Sequence, residues 1–408
     1  MSNPFVVVGA GLAAAKAVEA IRDAGYDGQL VVYGDEHHLP YERPPLSKDY
    51  LLGNAEIETA FVHVPQWYDE HDVDLRLGTH VSGIDLSARQ VTTGSESQIY
   101  DKLLVATGSS PRHLAMADES GAPVSYLRTI EDSQRIKASF SPGGRIAIVG
   151  AGWIGLEVAS AARNAGCEVT VLETLDLPLL RVLGPEVAAV FADLHRAHGV
   201  DLRLGIEISA IDKSGDRSVV RLGDGSEVEA DVVVVGIGVT PNTALAEAAG
   251  LETDNGILVD EHLRTSDPDV FAAGDVASAQ HPLLGRRIRV EHWDTAIEQG
   301  ALAGGNMLGR NLTYDRLPYF FTDQYDLGME YVGSVGPGGY DEVVVRGGAT
   351  DPSTFSAFWI QHGNVLAGMH ANDWDAIEPI RAIVGAAVDP GRLRDESVSL
   401  AQIAAEIT

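Results

Sequence analysis

The sequence GRIAIVGAGWIGLEVASAARNAGCEVTVLE, residues 144–173, predicts a strand, a glycine-rich turn, a helix and a second strand. Gly150, Gly152 and Gly155 complete a G-x-G-x-x-G pattern, and Glu173 closes the second apolar run. The glycines permit a tight turn, the helix N-terminus favours a pyrophosphate, and a carboxylate about twenty residues further on can accept ribose hydroxyls. This spacing predicts a dinucleotide site rather than an ordinary glycine-rich turn in a parallel sheet.

A second fingerprint lies near the start of the chain. The apolar run 4–8 leads into a G-x-G-x-x-A pattern at 9–14, and a later strand at 30–33 ends in Gly34-Asp35-Glu36. Alanine at the third position still lets helix and strand pack closely. Two fingerprints predict two dinucleotides, and FAD with an exchangeable nicotinamide nucleotide is the pair that can exchange hydride. The alternative is a duplicated fold in which one half has lost its ligand.

The composition limits the class of protein. With 408 residues, 45% of them apolar, the chain can bury large cores in two or three domains. The formal net charge of −30 disfavours nucleic acid and anionic membrane as partners, because phosphate binding depends on basic surface. No apolar run predicts a membrane-spanning helix, and the start of the sequence predicts a strand rather than a signal peptide.

The single cysteine, Cys167, excludes an internal disulfide. We expect a soluble cytoplasmic protein without a metal site.

Other segments add candidate site residues. Arg43 and Lys48 flank two prolines, where cations would neutralise a pyrophosphate or simply belong to an exposed loop. A strand and turn end in Ala106-Thr107-Gly108, and another strand end carries Gly236-Ile237-Gly238. The strand at 270–273 is followed by Gly274-Asp275, where the carboxylate could accept ribose or ribityl hydroxyls or could cap a helix.

The order of these segments predicts an α/β protein with two Rossmann-like dinucleotide-binding domains. The FAD-binding domain is expected to be split between residues 1–112 and 240–316, and the NAD-binding domain to occupy 113–239. From about residue 317 the sequence becomes aromatic-rich with alternating, strand-like runs. This change predicts a separate C-terminal α+β domain at 317–408.

The motifs resemble the putidaredoxin reductase-like NADH–ferredoxin reductases, which serve bacterial oxygenases. The resemblance rests on both fingerprints and on YERPPLSK at 41–48, YLRTIED at 126–132 and FTDQYDLG at 321–328, and it spans nearly the whole chain. It implies a glutathione reductase-like architecture with FAD and NADH as cofactors. It also implies hydride transfer from NADH to FAD, followed by single-electron transfer to a 2Fe-2S ferredoxin that feeds an oxygenase or cytochrome monooxygenase.

Together with the fingerprints, the resemblance gives the candidate cofactor-binding residues. Those expected to contact FAD are Gly9, Gly11, Leu12, Ala13, Asp35, Glu36, Arg43, Lys48, Val81, Ala106, Thr107, Gly108, Arg128, Gly274, Asp275, Glu291, His292 and Trp293. Those expected to contact NADH are Gly150, Gly152, Trp153, Ile154, Gly155, Glu157, Glu173, Arg181, Gly236, Ile237, Gly238 and Glu291. The resemblance puts Glu157 and Glu291 near the nicotinamide. Glu173 would favour NADH over NADPH by repelling a 2′-phosphate, and Arg181 is the nearest cation that could offset it.

No side chain is predicted to act as acid, base or nucleophile, because hydride and electron transfer need placement and electrostatics. Two alternatives stay open: another acceptor, such as rubredoxin, quinone or oxygen, and a redox-signalling flavoprotein resembling apoptosis-inducing factor. The protein is expected to be a monomer or homodimer. Phe321 replaces the tryptophan of many relatives, and HANDW at 370–374 has no predicted chemistry. A transient ferredoxin partner is expected at a basic patch formed by Arg286, Arg287, Arg289 and Arg310.

Overall fold

The computed structural model describes residues 3–94, 96–348 and 353–407. The chain divides into two compact units. Unit 1 comprises Met1–Arg43, Ile57–Ser110 and Val239–Pro318, and unit 2 comprises Pro44–Glu56, Pro111–Gly238 and Tyr319–Thr408. Each unit contains one of the two glycine fingerprints. Within the described ranges, no helix has both the length and the apolar character needed to cross a bilayer.

Unit 1 is built on a five-stranded parallel sheet. Its strands are β1 (Phe5–Val8), β2 (Leu30–Tyr33), β3 (Val73–Arg76), β7 (Lys102–Val105) and β19 (Val270–Ala272), in the order β19-β7-β1-β2-β3. β1, β2 and β19 are buried at every residue, as expected for parallel strands covered on both faces. All four of these parallel pairings run in continuous register, so the carboxyl ends of β1, β2 and β7 lie at the same edge.

Two long helices of unit 1 pack against each other. α1 (Leu12–Asp23) follows β1, and α9 (Trp293–Met307) lies near the end of the unit. A Cβ at Gly300 would lie 2.3 Å from the Ala13 carbonyl oxygen, and one at Gly304 would lie 2.5 Å from that of Ala17. The small residues of α9 therefore let the two helix backbones approach closely.

Shorter elements complete unit 1. The antiparallel sheet β4-β5-β6 contains Gly83–Asp85, Gln90–Thr93 and Glu96–Ile99, and the sheet β18-β20-β21 contains Ile257–Val259, Ala277–His281 and Arg286–Ile288. β8 (Ser109–Pro111) pairs with β17 (Val239–Pro241). The remaining helices are α3 (Pro65–Glu70), α8 (Ala244–Ala248) and the 3₁₀ turns Ile57–Ala60 and Gly274–Val276.

Unit 2 contains a second five-stranded parallel sheet. The strands β9 (Val124–Tyr126), β10 (Arg145–Val149), β11 (Glu168–Leu172), β12 (Asp201–Arg203) and β16 (Val232–Val235) are in the order β12-β11-β10-β16-β9. The antiparallel strands β13 (Ile208–Ser214), β14 (Arg217–Leu222) and β15 (Glu227–Ala230) form a separate sheet. The helices of this part are α2 (Asp49–Leu52), α4 (Ala115–Asp118), α5 (Ile130–Ala138), α6 (Trp153–Asn164), α7 (Leu180–Ala197) and the 3₁₀ turn Pro44–Ser47.

The aromatic-rich C-terminal segment forms an antiparallel sheet. Its strands β22 (Tyr319–Gln324), β23 (Leu327–Gly333), β24 (Glu342–Gly347), β25 (Phe355–Gln361) and β26 (Asn364–Ala371) are in the order β22-β23-β26-β25-β24. The helices α10 (Ile377–Ile383), α11 (Pro390–Arg394) and α12 (Leu400–Ile407) follow. The fully buried Trp359 donates its indole N–H to the Leu183 carbonyl at 3.1 Å, which joins this sheet to α7.

Candidate functional site

The glycine turn after β1 leaves open space at the start of α1. A Cβ at Gly9 would lie 2.1 Å from the Ala106 carbonyl oxygen, so the turn touches the end of β7. A Cβ at Gly11, in contrast, would have no atom within 4 Å. Gly11 is also the N-cap of α1, so no side chain caps the first turn of that helix. The first turn also contains no acidic residue. Its backbone N–H groups can therefore bind an anion.

The acids that follow β2 have different partners. Glu36 accepts a hydrogen bond from the Tyr41 hydroxyl and forms an ion pair with Arg43 at 2.9 Å. Asp35 is exposed and lies 3.0 Å from His80 Nδ1. Arg43 thus neutralises Glu36, whereas the Asp35 carboxylate is on the solvent side of the same strand end.

Asp275 does not cap the short helix in which it lies. The 3₁₀ turn Gly274–Val276 has no side-chain cap, and Asp275 Oδ2 accepts a hydrogen bond from the Ser109 hydroxyl at 2.7 Å. The Gly274 amide donates to Gln299 Oε1 at 2.9 Å. Asp275 therefore does not cap a helix. Its carboxylate lies just after the end of β19, where it could accept ribose or ribityl hydroxyls.

The other predicted FAD-binding residues of unit 1 lie in the first turn of α1, in the loop before β4, directly after β7 and at the start of α9. Leu12, Ala13, Val81 and Ala106 are buried. Thr107 is held by Asn242, which accepts from its hydroxyl and donates to its carbonyl, and Gly108 follows with φ +68°. His292 is the N-cap of α9 and Trp293 its first residue, while Glu291 forms an ion pair with Arg289.

In unit 2 the glycine turn after β10 has the same form. A Cβ at Gly150 would lie 2.4 Å from the Gly236 carbonyl oxygen, and one at Gly155 would lie 2.2 Å from that of Gly150. A Cβ at Gly152, the N-cap of α6, would have no atom within 4 Å. The first turn of α6 therefore has open space beside it and no side-chain cap. The apolar side chains of Ile154 and Ile237 are 43% and 38% exposed next to Gly152 and Gly236-Gly238. Trp153, in the first turn, packs on Phe191 and Phe320.

Glu173 lies directly after β11. Its Oε2 accepts from the backbone N–H of Ala151 at 2.8 Å, and its Oε1 accepts from that of Leu175 at 3.0 Å. Arg181, the cation nearest in sequence, is exposed in the first turn of α7. The carboxylate is therefore fixed at the carboxyl edge of the sheet, beside the glycine turn.

Glu157 is the centre of a buried polar cluster in unit 2. Its side chain is only 4% exposed and forms an ion pair with Lys48. The hydroxyl of Ser47 donates to Oε2, and that of Thr322 donates to Oε1 at 2.7 Å. Lys48 Nζ also lies 5.4 Å from the centre of the Phe321 ring. Two residues predicted for different cofactors, Lys48 and Glu157, are thus direct partners.

Sequence reasoning missed three members of this cluster. Ser47, Thr322 and Gln324 lie within YERPPLSK and FTDQYDLG, the two most specific motifs, yet none was assigned a role. The sequence contains part of the signal, because polar residues at 322 and 324 are two positions apart and so share one face of a strand. The structure shows that both are buried. Arg128, from the third motif, donates its backbone N–H to Asp132 at the start of α5.

The polar contacts continue from Thr322 towards α7. Gln324 Nε2 donates to Thr322 Oγ1 at 3.1 Å, and Gln324 Oε1 lies 2.8 Å from His195 Nε2. The Tyr325 hydroxyl lies 3.3 Å from His195 Nδ1. Burial lowers the pKa of His195 to about 4, and burial also raises the pKa of Tyr325. His195 is therefore neutral and Tyr325 protonated at neutral pH.

Three further features of the sequence lie outside these clusters. Cys167 is buried, and burial raises the pKa of its thiol. In the HANDW segment, His370 Nε2 lies 2.7 Å from Glu330, and Trp374 packs over Gly328. In the expected basic patch, Arg289 is 8% exposed, and Arg287 donates to the Val259 and Ser278 carbonyls. Across the described ranges, no group of His, Cys, Asp and Glu could hold a metal ion.

Two family models match the chain. The model described as pyridine nucleotide-disulphide oxidoreductase matches residues 3–300, which include both glycine turns. The model described as reductase C-terminal matches residues 319–404, which include the antiparallel sheet β22–β26.

Several relatives that are similar over nearly the full length are ferredoxin reductases. The chain is 41% identical over 406 residues to the ferredoxin–NAD(+) reductase component of the anthranilate 1,2-dioxygenase system of Burkholderia cepacia, covering 98% of each chain. It is 37% identical over 413 residues to the putidaredoxin reductase of Pseudomonas putida, covering 99% of this chain and 97% of that one. Among solved structures it resembles the reductase of a covalent putidaredoxin reductase–putidaredoxin complex, with a TM-score of 0.95, 37% identity and 99% of each chain covered.

Proposed function

The chain belongs to the pyridine nucleotide-disulphide oxidoreductase family, and from its full-length likeness to ferredoxin reductases we propose that it is an FAD-dependent NADH–ferredoxin reductase. Its acceptor is a 2Fe-2S ferredoxin that feeds an oxygenase or cytochrome monooxygenase. The observation that supports this most strongly is that the likeness covers 98% of both chains, including the C-terminal segment. The predicted family and α/β fold class are confirmed.

The residues of unit 1 fit a bound FAD. The uncapped first turn of α1, open at Gly11, offers backbone N–H groups to a pyrophosphate. The Asp35 and Asp275 carboxylates, at two strand ends of this unit, can accept ribose and ribityl hydroxyls. We assign the remaining predicted FAD contacts of unit 1, Arg43 among them, to the same cofactor.

The residues of unit 2 fit an exchangeable NADH. The start of α6 repeats the open, uncapped turn, and the exposed Ile154 and Ile237 offer apolar surface beside it. Glu173 can accept ribose hydroxyls and repels the 2′-phosphate of NADPH. When NADH is bound, Glu157 would contact the nicotinamide, where an ionised carboxylate can only accept hydrogen bonds.

Bound FAD supplies the conversion of a two-electron hydride into single electrons. The protein's part is to bind and orient the two nucleotides, and no side chain is required as acid, base or nucleophile. The ion pair with Lys48 keeps the buried Glu157 charge compensated. Thr322 and Ser47 fix the orientation of its two oxygens.

Cysteine content distinguishes this chain from a dithiol-dependent disulphide reductase. Such an enzyme needs two neighbouring thiols that exchange with its substrate. This sequence has one cysteine, and Cys167 is buried with Sγ 3.3 Å from the Ser141 carbonyl oxygen. Electrons must therefore leave by a route that uses no protein thiol.

The proposal includes the domain assignment and the setting of the enzyme. Residues 1–112 and 240–316 bind FAD, residues 113–239 bind NADH, and residues 317–408 form the C-terminal α+β domain. A chain with one buried cysteine fits a reducing compartment, so we assign the enzyme to the cytoplasm. We expect it to act as a monomer or homodimer.

Turnover with a purified 2Fe-2S ferredoxin tests the function. The FAD-loaded enzyme should oxidise NADH rapidly when ferredoxin and cytochrome c are present, and slowly when ferredoxin is left out. Fast NADH oxidation with rubredoxin, a quinone or oxygen alone would replace the proposed acceptor. Sluggish flavin reduction with a long-lived charge-transfer complex would instead favour a signalling flavoprotein.

A further inference from the structure

A single chain of hydrogen bonds connects Glu157 with the surface near α7. It runs from Glu157 through Thr322 and Gln324 to His195 and ends at Tyr325. The side chains of Thr322, Gln324 and His195 are buried, and all five residues belong to unit 2. Donor–acceptor distances along it are 2.7, 3.1, 2.8 and 3.3 Å.

The Glu157 carboxylate determines the direction of every bond in this chain. An ionised carboxylate only accepts, so the Thr322 hydroxyl must donate to it. The Thr322 oxygen then accepts from the Gln324 amide N–H group, which turns the Gln324 carbonyl towards α7. His195 must accordingly carry its proton on Nε2, and Nδ1 accepts from the Tyr325 hydroxyl. In all four hydrogen bonds the acceptor is the residue nearer to Glu157 along the chain. Because the bonds point in one direction, each hydrogen bond polarises the donor group of the next.

The states of the two outer residues agree with this direction. Burial holds the pKa of His195 near 4, so the imidazole is neutral and has one acceptor nitrogen. Burial also raises the pKa of Tyr325, which keeps its hydroxyl a donor. The ring of His198 stacks on Tyr325 at 3.8 Å and fixes it in place. A glutamine in the middle makes this an orienting chain rather than a route for protons, because an amide does not readily pass a proton on.

We propose that Thr322, Gln324 and His195 are positioning residues that hold the Glu157 carboxylate in one orientation for the nicotinamide of NADH. The inference rests on the proposed function, in which Glu157 contacts the nicotinamide. Oε1 accepts from both Lys48 and Thr322, and Oε2 accepts from Ser47. Loss of the Thr322 hydroxyl leaves Oε1 with a flexible ammonium group alone, and the carboxylate then loses its fixed direction.

The test separates the NADH half-reaction from the rest of turnover. Flavin bleaching by NADH is followed by stopped flow in Thr322→Val, Gln324→Met and the double variant, with Thr322→Ser as the rescue. Ser218→Ala is the matched control, since it removes another fully buried hydroxyl that donates to a backbone carbonyl. Re-oxidation of the reduced enzyme by ferricyanide serves as the second control.

Thr322→Val should slow flavin reduction at saturating NADH roughly tenfold, the expected loss for one hydrogen bond to a charged group. Thr322→Ser and Ser218→Ala should stay within about twofold of wild type, and ferricyanide re-oxidation should be unchanged in all variants. Because both changes break one chain, the double variant should be no slower than Thr322→Val alone. The proposal would be overturned if Thr322→Val reduced its flavin at the wild-type rate. It would also be overturned if the loss of rate in the double variant equalled the product of the losses in the two single variants.

Histidine NMR gives a readout independent of activity. In ¹⁵N-histidine-labelled holoenzyme, the His195 signals are identified among the 13 histidines by their loss in His195→Gln. The His195 signals should show a neutral ring protonated at Nε2. A ring protonated at Nδ1 would mean that the hydrogen bonds run in the opposite direction, and this result would overturn the proposal. A wild-type enzyme that reduces no ferredoxin would disprove the proposed acceptor but not the positioning role, because flavin reduction by NADH needs no ferredoxin.

Discussion

The carboxylate of Glu173 accepts a hydrogen bond from the backbone N–H of Ala151 at 2.8 Å, which ties the acid after β11 to the middle of the glycine turn after β10. The two residues are 22 positions apart in the sequence. The same side chain therefore has two tasks: it holds the turn in shape, and it presents negative charge where a ribose 2′ position is expected.

Replacing this charge should change the choice of nucleotide. Glu173→Gln should raise the ratio of kcat/KM for NADPH to that for NADH roughly tenfold, because it removes the repulsion between the carboxylate and the 2′-phosphate, about 1.4 kcal/mol for a pair open to solvent. Steady-state kinetics with both nucleotides measures it. Glu173→Ala, which also removes the hydrogen bonds to Ala151 and Leu175, should relax the preference further but lower the melting temperature. An unchanged ratio in both variants would show that Glu173 is not the discriminator.

The ion pair between Lys48 and Glu157 should matter for stability. Glu157→Gln leaves the ammonium group of Lys48, a side chain only 13% exposed, without its counter-charge. We expect a loss of about 3 kcal/mol, as for other broken buried pairs. Thermal unfolding of the holoprotein measures it, and Glu157→Leu combined with Lys48→Met should recover much of the loss. Glu227→Gln, which breaks an exposed pair with Arg221, is the control and should leave the melting temperature nearly unchanged.

His195 should make stability depend on pH in the acid range. Its pKa falls from 6.5 in the unfolded chain to about 4 in the folded one, so the unfolded state binds the proton first. The resulting contribution, about 3 kcal/mol, is fully present above pH 6.5 and is lost as the pH falls to 4. The melting temperature of His195→Gln should therefore decline less steeply between pH 7 and pH 4 than that of wild type. Parallel declines would contradict the assignment.

The ferredoxin KM should depend on the exposed side chain of Arg310. In the expected patch, Arg287 donates to backbone carbonyls and Arg289 pairs with Glu291, whereas Arg310 is exposed. Arg310→Glu should raise the ferredoxin KM about fivefold at low salt and much less at high salt, since screening weakens steering. Lys213→Glu makes the same change in net charge elsewhere and should have no effect. Equal KM values for both variants would exclude Arg310.

Much of the fold could be predicted because its signals are local. The β-α-β fingerprints depend on glycines and apolar runs within about thirty residues, and β10, α6 and β11 occur in the predicted order within residues 144–173. The helix α7 is instead broken at Gly184, four residues after it begins. There φ is +72°, and a Cβ would lie 1.9 Å from the Tyr340 hydroxyl, a contact that no local pattern reveals.

The polar cluster around Glu157 could not be predicted for the same reason. Its members are residues 47, 48, 157, 195, 322 and 324, and all but one of their hydrogen bonds join positions more than one hundred apart in sequence. Motif reasoning found Lys48 and Glu157 but assigned them to different cofactors, because each motif was interpreted on its own. Only folding of unit 2 makes them partners.

The burial of Cys167 makes the protein convenient to label. Thiol reagents react with the thiolate, and the only native cysteine is buried with a raised thiol pKa. A cysteine introduced at the exposed Ile237 would therefore be the one position that a maleimide dye can reach. Fluorescence from that position would report the arrival of the nicotinamide nucleotide in real time, with no background from the rest of the chain.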